Sequence, residues 1–125
     1  MLKSTVVYGL DGNNLERLAD SIAAATGIHL HSCHSPMDGP WYCSVSPAEV
    51  KSCLVDPAAF QALSQRPQLT LRSNDPGDAY YGGQLYPDKG RFLLDVEAEA
   101  PTVERIDRNL TDSGLSFVRI QVGHA

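Results

Sequence analysis

The chain has 125 residues, 42% of them hydrophobic and 20% charged, with a formal net charge of −5. That composition belongs to a globular domain able to bury one core, and not to a disordered chain. No apolar run approaches the roughly 18 residues that a membrane span requires, and three cysteines without a Cys-x-x-Cys pair argue for reduced thiols over a disulfide scaffold.

Thr5–Tyr8 is apolar and rich in β-branched residues, as in a buried strand. After a turn over Gly9–Asn13, Asn13 and Glu16 stand three apart, the spacing of a capping box. Leu15, Leu18, Ala19, Ile22, Ala23 and Thr26 then recur at helical spacing, and Gly27 supplies a left-handed terminus. Ile28–His34 reads as a second strand, with His29, His31 and Cys33 on one side and Leu30, Ser32 and His34 on the other. Ser35–Pro40 is a loop, and Trp41–Val45 a third strand hairpinned onto the second.

Ser46, Pro47 and Glu49 are a helix start, with Val50, Cys53 and Leu54 as the expected apolar face. Asp56 and Pro57 break this helix and open a short one in which Phe60 and Leu63 are expected to face inward. Pro67–Arg72 makes a strand, and Ser73–Asp78 an exposed polar loop. Gly83–Tyr86 and Arg91–Val96 flank the turn at 87–90 and predict a hairpin, with Phe92, Leu94 and Val96 on an apolar face. Pro101 opens a last helix carrying Val103, Ile106 and Leu110, Gly114 stops it, and Leu115–Val122 closes the chain with Val118, Ile120 and Val122 toward the core. The expected architecture is one α+β domain over residues 1–125: a mostly antiparallel sheet, two long helices on one face, and a short helical insertion.

Few residues are grouped as chemistry would need. His29, His31, Cys33 and His34, with Cys43 across a hairpin, are zinc-ligand types, but their spacing matches no established signature. No metal or other cofactor is therefore expected. There is no phosphate loop and no dinucleotide fingerprint, and no Ser or Cys nucleophile pairs with a particular histidine. Asp95, Glu97 and Glu99 share a strand side and read more simply as an exposed edge than as a catalytic carboxylate group. Trp41, Tyr42, Tyr80, Tyr81 and Tyr86 are candidate interface anchors, with half-buried packing as the plain alternative.

Charge is unevenly placed. Residues 75–112 hold nine acids against four bases, a net of −5, while residues 1–74 hold six against five. An acidic segment disfavours direct nucleic-acid binding, which needs clustered Lys and Arg, and suits a basic protein partner or simply a solvated surface. The amino terminus has no secretory pattern, so a cytoplasmic location is expected, with no membrane contact.

The order of elements resembles that of small immunity proteins from bacterial contact-dependent growth inhibition and related polymorphic toxin systems. The matching pieces are Tyr8-Gly9-Leu10-Asp11, the Leu15–Gly27 helix, Gly39-Pro40-Trp41-Tyr42, Leu85-Tyr86-Pro87, Leu93-Leu94-Asp95-Val96, the Val103–Leu110 helix and Gly114-Leu115. The helical stretch 46–66 lies outside the resemblance. The resemblance implies a non-enzymatic cytoplasmic protein that binds and blocks the C-terminal domain of a cognate toxin, often a nuclease, and it carries over no catalytic residue. With the acidic segment, it makes Asp75, Asp78, Tyr80 and Tyr81 the first candidates for partner contact, and Asp88, Asp95, Glu97 and Glu99 the second. The alternatives are a small metal-dependent enzyme using His29, His31, Cys33 and His34, and a regulatory adaptor.

Overall fold

A computed structural model describes residues 3–35, 39–75 and 84–124; the side chains of 33–35, 39–40 and 121–124 fall outside the description. Its elements are β1 (Lys3–Leu10), α1 (Leu15–Thr26), β2 (His31–Ser35), β3 (Gly39–Cys43), α2 (Pro47–Val55), α3 (Pro57–Ser64), β4 (Gln68–Ser73), β5 (Phe92–Glu99), α4 (Ala100–Asp112) and β6 (Phe117–His124). The strands form one antiparallel sheet in the order β2-β3-β4-β5-β1-β6. β1 is therefore interior, flanked by strands made from the last third of the described chain.

The α+β expectation is met. Val6, Tyr8 and Leu10 of β1, Leu69 and Leu71 of β4, and Phe92, Leu94 and Val96 of β5 line one sheet face. Leu18, Ala19 and Ile22 of α1 and Val103, Ile106 and Leu110 of α4 cover that face and complete the core. Each fully buried aliphatic side chain here contributes about 1.5–3 kcal/mol from apolar burial.

Helix ends follow local chemistry. Asn14, one residue later than expected, accepts a hydrogen bond from the Arg17 N–H at 3.0 Å, because its extended backbone aims the carboxamide into the first turn. Gly27 ends α1 at φ 74°, a conformation that favours glycine. Ser46 and Glu49 form the predicted capping box, and the Ser46 backbone N–H holds the Glu49 carboxylate below its usual range, with Arg66 helping from 2.6 Å.

Four expectations are corrected. α2 and α3 pack on each other and not on the core: neither has a buried residue, Cys53 and Leu63 line the groove between them, and Val50, Leu54 and Phe60 point outward. On β6 the register places Phe117 opposite Leu10 and Arg119 opposite Tyr8, so these face the helices, while Val118 is 48% exposed on the other side. A one-residue difference in phase reverses every side chain of a strand. Residues 84–86 form no strand, and β5 pairs with β4 and β1, so it is central and not an edge. Among the described residues, no helix is long and apolar enough to cross a membrane.

Candidate functional site

The sheet face turned away from α1 and α4 is built from the alternate residues of each strand. Register places Lys3, Thr5, Val7 and Gly9 of β1, Gln68, Thr70 and Arg72 of β4, and Leu93, Asp95, Glu97 and Glu99 of β5 side by side on it. Val118 and Ile120 continue it on β6, and Trp41, Cys43 and His31 on β3 and β2. The predicted sharing of one side by Asp95, Glu97 and Glu99 is thus present, in the middle of the sheet.

The three acids have different surroundings. Arg72 is almost wholly buried and reaches Asp95 with two hydrogen bonds, at 2.7 and 3.1 Å, so the half-buried Asp95 carboxylate is engaged within the fold. Glu97 is exposed, between Thr5 on β1 and Gln68 on β4, and has no ion-pair partner among the described residues. Glu99 lies opposite Lys3 and occupies the N-cap position of α4 without a side-chain capping bond.

One end of this face is roofed by the turn at 86–90. The Lys89 carbonyl lies over Gly9 so closely that a Cβ there would stand 1.6 Å from its oxygen, and only glycine fits. Asn74 fastens the turn: its amide donates to the carbonyls of Tyr86 and Gly90, each at 2.8 Å, and its oxygen accepts from the Tyr86 N–H at 3.0 Å. Its own backbone N–H donates to the Arg91 carbonyl at 2.9 Å. Asn74 was legible in the sequence only as part of a polar loop, yet it closes the neck between the end of β4 and the turn before β5.

The first-choice contact residues follow this neck. Asp75 is exposed, and its N–H donates to the Ser73 hydroxyl. Asp78, Tyr80 and Tyr81 lie outside the described residues. Asp88 is exposed in the turn at φ 68°, a left-handed conformation that aspartate adopts more readily than most residues. Asp75 and Asp88 therefore belong to the same end of the sheet, where β4 ends and β5 begins, whereas Glu97 and Glu99 lie toward the opposite end.

The histidine group is only partly assembled. The His29 and His31 rings meet edge to face at 4.4 Å, and the Cys43 thiol donates to the Val45 carbonyl. The side chains of Cys33 and His34 are outside the description, and among the described residues no three His, Cys, Asp or Glu groups are arranged to hold a metal ion. Tyr42 is half-buried and packs against the core from β3, and burial together with the nearby Glu16 and Asp20 pushes its hydroxyl upward in pKa. No protein-family model matches the chain, and a search of the curated proteins finds no match.

Proposed function

We propose that this chain is an immunity-type inhibitor that binds and neutralises a cognate toxin domain, acting as a protein ligand and not as an enzyme. The observation that carries the reading is the fastened end of the sheet. Asn74 fixes a neck with exposed acids on either side of it, Asp75 before and Asp88 after, and the segment it closes is the acidic, tyrosine-bearing one. A preorganised loop end with negative charge suits a basic toxin such as a nuclease, because complementary charge speeds encounter and an aromatic anchor slows release. The resemblance in element order supports the same class, and a cytoplasmic location goes with it.

The test is to produce the protein encoded next to this chain, isolate its C-terminal domain, and measure binding kinetics at two salt concentrations. Charge reversal at Asp75 and Asp88 is expected to lower the association rate and flatten its salt dependence, with the fold intact. A neighbouring product that neither binds nor harms cells removes the reading.

A further inference from the structure

We propose that His29 and His31 together chelate a divalent metal ion that coordinates at right angles, Ni(II) or Cu(II). The two flank Leu30, which is buried in the core, so an extended backbone turns both imidazoles to the opposite side. Their rings meet with centres 4.4 Å apart and planes at 84°. Neither ring has a hydrogen-bond partner among the described residues, and a neutral imidazole then keeps one nitrogen lone pair for a ligand. His29 is exposed and His31 half-buried, so the pair can be reached from solvent.

The ring separation selects the kind of ion. A metal about 2.0 Å from a ring nitrogen lies about 3.2 Å from the ring centre, so two rings at right angles around one ion have centres about 4.5 Å apart. A tetrahedral angle would spread them to about 5.1 Å, which suits zinc and not this pair. A closed zinc site also takes four protein ligands, whereas a tetragonal ion held by two imidazoles completes its shell with water. The rings line a cavity of about 270 Å³ with Ser44, Glu49 and Arg66, which gives that water room. Glu49 and Arg66 pair at 2.6 Å and cancel, so the guanidinium raises little barrier to a cation, and the net charge of the chain attracts one. This end of the sheet, where β3 passes into α2, is opposite the end fastened by Asn74.

The test is calorimetric titration of Ni(II) into the full chain; Cu(II) would be reduced by its thiols, Cys43 and Cys53 among them. One ion is expected to bind per chain with a Kd below about 0.1 mM. His29→Ala and His31→Ala are each expected to weaken binding at least about tenfold, because either change removes the chelate. Both rings lie outside the core, so far-ultraviolet dichroism is expected to be retained. On the wild type, substoichiometric Ni(II) is paramagnetic and is expected to broaden the imidazole C–H signals of His29 and His31 before any others. Weaker binding than that limit overturns the proposal. So does undiminished binding by either variant, or broadening that begins elsewhere. Neither result bears on toxin binding, which the kinetic experiment reads separately.

Discussion

Arg72 on β4 and Asp95 on β5 grip one another through a forked pair of hydrogen bonds, Nε to Oδ2 at 2.7 Å and Nη2 to Oδ1 at 3.1 Å. The arginine side chain keeps 7% of its surface and the aspartate 27%. Removing Asp95 strips the desolvated arginine of its forked partner, so Asp95→Ala is expected to cost about 3 kcal/mol, the low end for a buried pair because Asp95 retains some water. The joint change Arg72→Met with Asp95→Leu is expected to be much milder. Urea denaturation of the two single variants and the double variant gives the coupling directly, and additive losses would show that the pair is not a unit.

Asn74 makes three side-chain bonds to the turn before β5. Asn74→Ala strips partners from half-buried backbone groups of Tyr86 and Gly90 and is expected to cost about 1–3 kcal/mol. Hydrogen exchange reads the local effect: the Tyr86 amide should lose protection well before the amides of β5. Equal loss throughout the sheet would mean that Asn74 acts on global stability alone.

Tyr8 is fully buried, with its ring edge-on to Phe117 at 5.3 Å. Its hydroxyl has no hydrogen-bond partner of ordinary geometry among the described residues. Its pKa is pushed up to about 12, chiefly by burial, with Asp107 adding to the rise and Arg119, 3.9 Å from that carboxylate, opposing it. Folding thus favours the protonated phenol. The associated stability is complete below pH 10, the ordinary tyrosine value, and drains away as pH climbs toward 12, by on the order of 2 kcal/mol. Tyr8→Phe should unfold less steeply across that window than the wild type and lose little at pH 7. Parallel curves for the two proteins between pH 10 and 12 would exclude Tyr8 as the source.

Ile22 has no exposed surface and sits beneath α1 against the sheet. Ile22→Ala is expected to cost about 2–5 kcal/mol through lost burial and the cavity left behind. The exposed Leu54→Ala should cost under about 0.5 kcal/mol. A comparable loss at both positions would contradict the placement of the core.

Periodicity carried the parts of this fold in which one side of an element meets the core. Leu18 and Ile22, Phe92 with Leu94 and Val96, and Val103 with Ile106 and Leu110 could be read directly from their spacing. It failed where an apolar pattern has no core to meet: Val50, Leu54 and Phe60 have the spacing of buried residues and lie outside. On β6 the apolar alternation of Val118 and Ile120 points to the wrong side, because Phe117 and Arg119, opposite Leu10 and Tyr8, are the residues that face the helices. Arg119 is accommodated beside Asp107 at the rim of the helix layer. Of the candidate site, Asp75, Asp88 and Glu97 were legible as exposed acids. The Arg72–Asp95 pair and the Asn74 fastening depend on strand register and loop closure, which no local pattern encodes.

The interior position of β1 has a consequence for how the chain comes to be folded. Its five consecutive buried residues, Val6 to Leu10, rest between β5 and β6, so their partners are residues 92–99 and 117–124. On a ribosome adding roughly 5–20 residues each second, this strand waits several seconds with both edges unpaired. Its closure spans most of the chain and comes late, the kind of non-local pairing that slows folding. The vulnerable species in a cell is then the nascent chain before residue 92, whose most apolar strand is exposed for other chains to join.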